Sequence, residues 1–167
     1  MTRIFDNITP ETRLGSHLQL TFEAFERMDA AVGYFNLRGW SYFDDLVTSK
    51  AASADGPVAR ILIGMVMAGP QEETLADLQS SVDGAATPEA DGSVARERKA
   101  ALLEQLRMQL MRGLPTAGDR QTLRALAEHL RAGRVEVKVF TRRPLHGKTY
   151  VFHRQDLNNP IVGFVGS

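Results

Sequence analysis

The sequence predicts one α/β domain, a three-layer α/β/α sandwich with a mixed β-sheet. Three observations support this fold class. Helical and strand-like patterns alternate along 167 residues, a length typical of one domain with its own core. The segment 58–66 is almost continuously apolar, which is typical of a central strand covered on both faces. Two late apolar segments flank the turn signal Asn158-Asn159-Pro160, which indicates an antiparallel hairpin.

The first half of the chain predicts two helices and two strands. Apolar side chains at steps of four, four and three define the buried face of the first helix: Leu14, Leu18, Phe22 and Phe25. Thr9 is its predicted N-cap, Pro10 its first residue and Asp29 its end. A turn is expected at 36–39. The predicted bounds are helix 10–28, strand 30–35, helix 39–50 and strand 58–66.

The second half predicts an exposed flexible loop, two helices and three strands. The loop, 80–93, is rich in small and polar residues. The predicted bounds that follow are helices 94–112 and 119–132 and strands 135–140, 148–153 and 161–165. Asp119 is the expected N-cap of the second of these helices, and Gly133 follows its end. Its expected buried face is Leu123, Leu126, Ala127 and Leu130.

Composition and charge exclude several classes of function. Lys plus Arg and Asp plus Glu balance at 20 each, so any contact with nucleic acid must come from a local patch. The absence of cysteine excludes disulfides, zinc–cysteine sites, iron–sulfur clusters and thiol nucleophiles. No apolar run reaches the roughly 18–20 residues that span a bilayer, and no signal peptide is evident. We therefore expect a cytoplasmic protein with no membrane partner.

The candidate chemistry lies in His146-Gly147-Lys148, at the start of a predicted strand. Residues i and i+2 of a strand point to the same face, so the imidazole and the ammonium are expected side by side. Gly147 adds no bulk between them, which lets a phosphate or another backbone come close. This pair of groups suits binding of a phosphate ester or attack on it. Arg142 and Arg143, just upstream, are candidate contacts to a nucleic-acid backbone or else a solvated loop pair.

These residues resemble the phospholipase D superfamily, whose signature is H-x-K-x4-D followed by a Gly-Ser-x-Asn turn. His146-Gly147-Lys148 matches the first part, and Gly166-Ser167 matches the Gly-Ser. The chain most resembles modules at the N-termini of bacterial helicase-type proteins, through Gly33-Tyr34-Phe35 and Gly39-Trp40. It departs from the signature at His153, where the family has Asp. Because the strand at 161–165 runs directly into Gly166-Ser167, we expect the chain to be an N-terminal piece of a longer protein.

The resemblance implies a metal-independent nuclease, a hydrolase that cleaves phosphodiesters without a cofactor. His146 is implied as nucleophile or general acid, Lys148 as the ligand of the phosphoryl oxygens, and Gly166 and Ser167 as lining of the site. The family uses two H-x-K motifs that face each other, and this chain has one. A homodimer with a site shared across the two-fold axis and DNA as its partner are therefore expected. The alternative is a catalytically degenerate module that dimerises or binds DNA without cleaving it.

Four further polar positions are expected to be structural or solvated. His129 is expected on the polar side of its helix. His153 is expected at a strand end near solvent, with a second ligand or a spare acid as the alternative. Asp44 and Asp45 are expected on a solvated helix face, because adjacent helical residues diverge by about 100° and do not converge on a metal. Trp40 and Phe43 are expected in the core.

Overall fold

The computed structural model describes residues 4–50, 56–64, 93, 96–97, 100–101, 103–104, 108, 116–140 and 145–166. Its strands are β1 Arg27–Val32, β2 Ala59–Ile63, β3 Val135–Val139, β4 Lys148–His153 and β5 Ile161–Gly166. Its helices are α1 Leu14–Ala24, α2 Leu37–Ser49 and α3 Ala117–Arg131, and a 3-10 turn at Pro10–Thr12 precedes α1. The described residues between 93 and 108 are helical as well. None of the described helices is long and apolar enough to cross a membrane.

The five strands form one mixed sheet in the order β3-β2-β1-β4-β5. β1, β2 and β3 are parallel neighbours, β4 is antiparallel to β1, and β5 is antiparallel to β4. The α/β class, the mixed sheet and the late hairpin are thus confirmed. The carboxyl ends of β1, β2 and β3 and the amino end of β4 lie along one edge of the sheet, which we call the carboxyl edge.

One face of the sheet and the helices α1, α2 and α3 enclose the hydrophobic core. Alternate residues of the strands enter it, among them Met28, Ile63 and Phe152, each at most 1% exposed. Phe22 of α1 and Val47 of α2 meet them from the helical layer and are fully buried. Trp40 and Phe43 are buried there as predicted. The described part of the chain therefore shows a sheet with one helical layer, and the third layer stays a prediction.

The first helix ends earlier than its apolar spacing predicts. α1 stops at Ala24, and Phe25 is extended, with φ −116° and ψ 157°. Phe25 is nevertheless buried in the core. Its position fits the helical spacing of the apolar residues, but its backbone is extended. β1 then begins at Arg27 and contains Asp29, which was wrongly predicted to end the helix.

The predicted turn at 36–39 is also wrong, because α2 begins at Leu37. The Asn36 side chain caps this helix by accepting hydrogen bonds from the backbone N–H groups of Arg38 at 2.9 Å and Gly39 at 3.4 Å. Thr9 precedes only the 3-10 turn, although Pro10 does occupy its first position as predicted.

β2 differs from the expected strand covered on both faces. It is an inner strand paired on both sides, but within the described residues its burial alternates and the Arg60 side chain is 47% exposed. Its outer face, including Arg60, lies on the side of the sheet opposite α1, α2 and α3. Among the described residues, the near-continuous apolar run therefore does not correspond to uniform burial of β2.

α3 begins at Ala117, two residues before the predicted start, and its N-cap is Thr116 instead of the predicted Asp119. Thr116 is the N-cap, since its hydroxyl accepts from the Asp119 N–H at 3.1 Å, while the Asp119 carboxylate accepts from the Thr116 N–H at 3.0 Å. Gly133 follows the helix with φ 68°, the left-handed conformation predicted for it. Leu126 is buried as predicted, but Leu130 is 43% exposed.

The predicted flexible loop at 80–93 lies outside the described residues except for Ser93, which is helical.

Candidate functional site

Residues 145–148, which we call the H-x-K segment, cross the carboxyl edge of the sheet and are held there by the backbone. The Gly33 N–H donates to the Gly147 carbonyl at 2.9 Å. The Leu145 N–H donates to the Gly64 carbonyl at 3.2 Å. These two bonds attach the segment to the residues that directly follow β1 and β2.

Two glycines allow this close packing. A Cβ on Gly64 would lie 2.2 Å from the Leu145 Cβ and 2.5 Å from the Leu145 carbonyl oxygen, distances that no side chain tolerates. A Cβ on Gly33 would lie 3.4 Å from the same carbonyl oxygen, at the border of ordinary contact. Gly147 meets nothing within 4 Å, so the space beside it is open. Gly64 is thus the position where absence of a side chain determines the path of the H-x-K segment.

His146 and Lys148 are both exposed at this edge. Lys148 is the first residue of β4 and pairs with Val32 of β1 on one side and Gly166 of β5 on the other. His146 precedes the strand instead of lying in it, which corrects the predicted strand geometry of the pair. The structure brings His146, Lys148 and Gly166 to one edge, whereas Ser167, Arg142 and Arg143 lie outside the described residues.

The helices α2 and α3 begin at the same edge. α2 follows the carboxyl end of β1, and α3 leads back to the amino end of β3. Their first turns are joined by a contact of 3.4 Å between Arg38 Nε and Asp119 Oδ1. Helix N-termini carry partial positive charge, and the Asp119 carboxylate already offsets that charge at the start of α3. Parallel strands that end beside helix starts are also where open α/β sheets bind ligands.

His153 occupies the other end of β4 and has a structural partner. Its Nε2 lies 3.0 Å from Asp29 Oδ2, and both side chains are 26% exposed. At about 3.4 Å per residue, His153 is about 17 Å from Lys148. The histidine that stands where the family has Asp therefore cannot belong to the site at the carboxyl edge, and it is less solvated than the sequence predicted.

Asp29 connects three strands through charged groups. Arg60 Nε of β2 donates to Asp29 Oδ1 at 2.6 Å, and its terminal nitrogen donates to Oδ2. Burial acts to raise the pKa of the Asp29 carboxyl, but the hydrogen bonds and charges of Arg60 and His153 outweigh it, so the pKa is lowered. We call these three residues the Asp29 cluster. It lies on the face of the sheet opposite α1, α2 and α3.

A second Asp–His contact joins α2 to α3. His129 is buried, so the prediction that it lies on the polar side of its helix is wrong. Its Nε2 lies 3.4 Å from both Asp44 Oδ1 and Thr48 Oγ1. Asp44 also accepts a hydrogen bond from Trp40 Nε1 at 3.2 Å. The prediction that Asp44 lies on a solvated helix face is therefore wrong. Burial raises the pKa of Asp44, against the opposing contacts of Trp40 and His129. Asp45 is exposed as predicted.

Two sequence signals could have located these clusters. Arg27 and Asp29 alternate with the apolar residues Met28, Ala30 and Val32, which is the period of a strand that starts before 30. His129 lies three residues after Leu126, at helical spacing for the same face. Both patterns are present in the sequence, but Arg60 as the partner of Asp29 and Asp44 as the partner of His129 could be identified only from the tertiary structure.

Within the described residues, no group of three or more His, Asp or Glu side chains is placed to hold a metal ion. In comparisons with known proteins, no family model, no curated protein and no solved structure matches the chain.

Proposed function

We propose that the chain is a phospholipase D-like phosphodiesterase, a nuclease module that cleaves without a metal and belongs to a helicase-type protein. The observation that carries the proposal is the H-x-K segment, which is bonded across the ends of β1 and β2 with His146 and Lys148 exposed. A nucleophile held by backbone bonds on a rigid sheet edge is pre-positioned for attack. The start of α2 at the same edge of the sheet adds the partial positive charge of a helix N-terminus.

In the proposed reaction, a His146 nitrogen attacks phosphorus and the bond from phosphorus to the leaving oxygen breaks. A second histidine protonates that oxygen. Water then cleaves the phosphohistidine, and the same histidine takes the proton of the water. Lys148 stabilises the negative charge on the non-bridging oxygens. Gly166 lies beside Lys148 in the sheet and leaves its ammonium accessible from that side.

The second histidine must come from another H-x-K motif. We propose that a second copy of the chain supplies it, so that the two His146 side chains meet across a two-fold axis. Sedimentation is the direct measurement: a dimer at the concentrations used for activity supports the shared site. Monomer alone at high concentration contradicts it.

The second candidate function is a module that dimerises or binds DNA without cleaving it. One observation favours it: the position where the family has Asp is His153, and this residue is engaged with Asp29 at the far end of β4. His153 therefore joins two strands through Asp29, and the fold does not need the carboxylate that the family has at this position. Cleavage distinguishes the two candidates.

The test is hydrolysis of plasmid DNA and of a bis-aryl phosphodiester in EDTA. The proposed enzyme cleaves both, and His146→Ala lowers the rate by at least about 10³-fold because the nucleophile is lost. His153→Ala is the matched control, a histidine of the same chain segment outside the site, and it retains cleavage. If the parent protein binds DNA and cleaves neither substrate, the proposal fails and the binding module is correct.

A further inference from the structure

Tyr34 lies beside the H-x-K segment and is an exposed aromatic residue. It directly follows Gly33, whose N–H holds the Gly147 carbonyl at 2.9 Å. Its side chain is 47% exposed. The next residue, Phe35, is buried, with its ring 6.4 Å from the ring of Trp40. The chain thus turns one aromatic ring into the core and leaves the neighbouring ring at the surface of the carboxyl edge.

The distance from Tyr34 to His146 is limited by the contacts of Gly33. The His146 Cα lies 3.8 Å from the position of a Cβ on Gly33. With about 3.8 Å between consecutive Cα atoms, the Tyr34 Cα is within about 9 Å of the His146 Cα. If the phosphate of a nucleotide contacts His146 and Lys148, the sugar and base of that nucleotide are long enough to reach from there to Tyr34.

We propose that Tyr34 stacks on a nucleobase adjacent to the phosphate held at His146 and Lys148, and that the substrate class is single-stranded nucleic acid. This inference rests on the proposed function of that site. An aromatic ring at the surface offers a stacking platform that accepts any base. A base within a duplex already has a neighbour on each face, so it is available to Tyr34 only when the strand is single.

The balanced charge of the chain agrees with this mode of binding. With equal numbers of acidic and basic residues, the protein has no overall excess of charge to attract a polyanion. Stacking then supplies affinity that the overall electrostatics do not. The expected ligand contact is therefore one phosphate at the H-x-K segment with one neighbouring base on Tyr34.

The experiment measures binding by fluorescence anisotropy in the full chain carrying His146→Ala, which removes cleavage. The probe is a fluorescein-labelled single-stranded oligonucleotide of about 12 nucleotides, compared with its duplex and with an abasic version. We expect Tyr34→Ala to raise Kd for the single strand about tenfold or more. Tyr34→Trp retains the affinity. The abasic oligonucleotide binds weakly, with a Kd that Tyr34→Ala does not change.

The matched control is Tyr42→Ala, at a tyrosine in the second turn of α2 that is 54% exposed. It leaves Kd unchanged. The inference is overturned if Tyr34→Ala leaves the Kd for the single strand unchanged, if Tyr42→Ala weakens binding equally, if the duplex shows the same dependence on Tyr34, or if the protein does not bind the oligonucleotide. Because binding is measured without cleavage, a positive result here stands even where the EDTA assay finds no hydrolysis.

Discussion

The two ends of β4 carry a histidine each, in opposite surroundings. His146 lies just before the strand, is exposed, and is held in place through the backbone of its neighbours Leu145 and Gly147. His153 closes the strand, is half-buried, and is held through its own ring by the Asp29 carboxylate. Backbone hydrogen bonds thus position the segment that carries the exposed His146, while a side-chain contact with Asp29 positions His153.

Under the proposed function, one strand serves reaction and stability separately. A nucleophile must reach a substrate, so its position is best determined by backbone hydrogen bonds that leave its ring accessible. A charged group between strands gains from partners on all sides, because burial without partners is costly. The Asp29 cluster supplies such partners, and the H-x-K segment supplies the accessible ring.

Replacing Lys148 tests the end of β4 assigned to chemistry. We expect Lys148→Ala to lower the hydrolysis rate of the bis-aryl phosphodiester by about 10²–10³-fold, because charge on the phosphoryl oxygens loses its stabilising partner. The measurement is the initial rate in EDTA, with folding checked by circular dichroism. Lys138→Ala is the control, since Lys138 is a strand lysine, 70% exposed, on β3. Equal losses in both variants would show that Lys148 has no particular role.

Replacing Gly64 tests the backbone attachment of the H-x-K segment. The added Cβ collides with Leu145, so we expect Gly64→Ala to lower the free energy of unfolding by about 3 kcal/mol. For a chain of this length the melting temperature should fall by about 6–12 °C. Gly15→Ala is the control, because Gly15 in α1 has nothing within 4 Å of its added Cβ and an alanine favours the helix. An unchanged melting temperature for Gly64→Ala contradicts the close packing of Gly64 against Leu145.

Replacing Asp29 tests the end of β4 assigned to stability. We expect Asp29→Asn to lower the free energy of unfolding by about 1–2 kcal/mol at pH 7, since partly exposed charged hydrogen bonds to Arg60 and His153 are weakened. Hydrolysis in EDTA should be unaffected. The measurement is urea unfolding of parent and variant.

The same variant has a defined pH dependence. The pKa of Asp29 is lower in the folded protein than in the unfolded chain, so its carboxylate stabilises the fold above the unfolded pKa of about 4. This stabilisation is lost as the pH falls through the lower folded pKa. The difference between parent and variant, about 1–2 kcal/mol at pH 7, should therefore shrink as the pH falls below 4. A difference that grows as the pH falls below 4 would contradict the assigned direction.

Local patterns predicted most of the strands and the start of the candidate site. β4 has the predicted bounds, 148–153, and the hairpin with β5 is where the Asn-Asn-Pro turn indicated it. The end of α1 was missed because Phe25 satisfies the helical spacing of Leu18 and Phe22, yet it packs from an extended backbone, 6.4 Å from the Phe152 ring. The spacing of apolar residues cannot distinguish a helical from an extended backbone at Phe25, since either conformation can bury its side chain.

The sequence by itself determined the α/β class, the antiparallel hairpin and the placement of Lys148 at the start of a strand, because these follow from residue spacing and turn residues. Only the tertiary structure decided what surrounds them. Gly64 meets Leu145 because β1 and β2 are adjacent, and His153 meets Asp29, 124 residues earlier, because β4 pairs with β1. Such contacts depend on the order of strands in the sheet, which local periodicity does not encode.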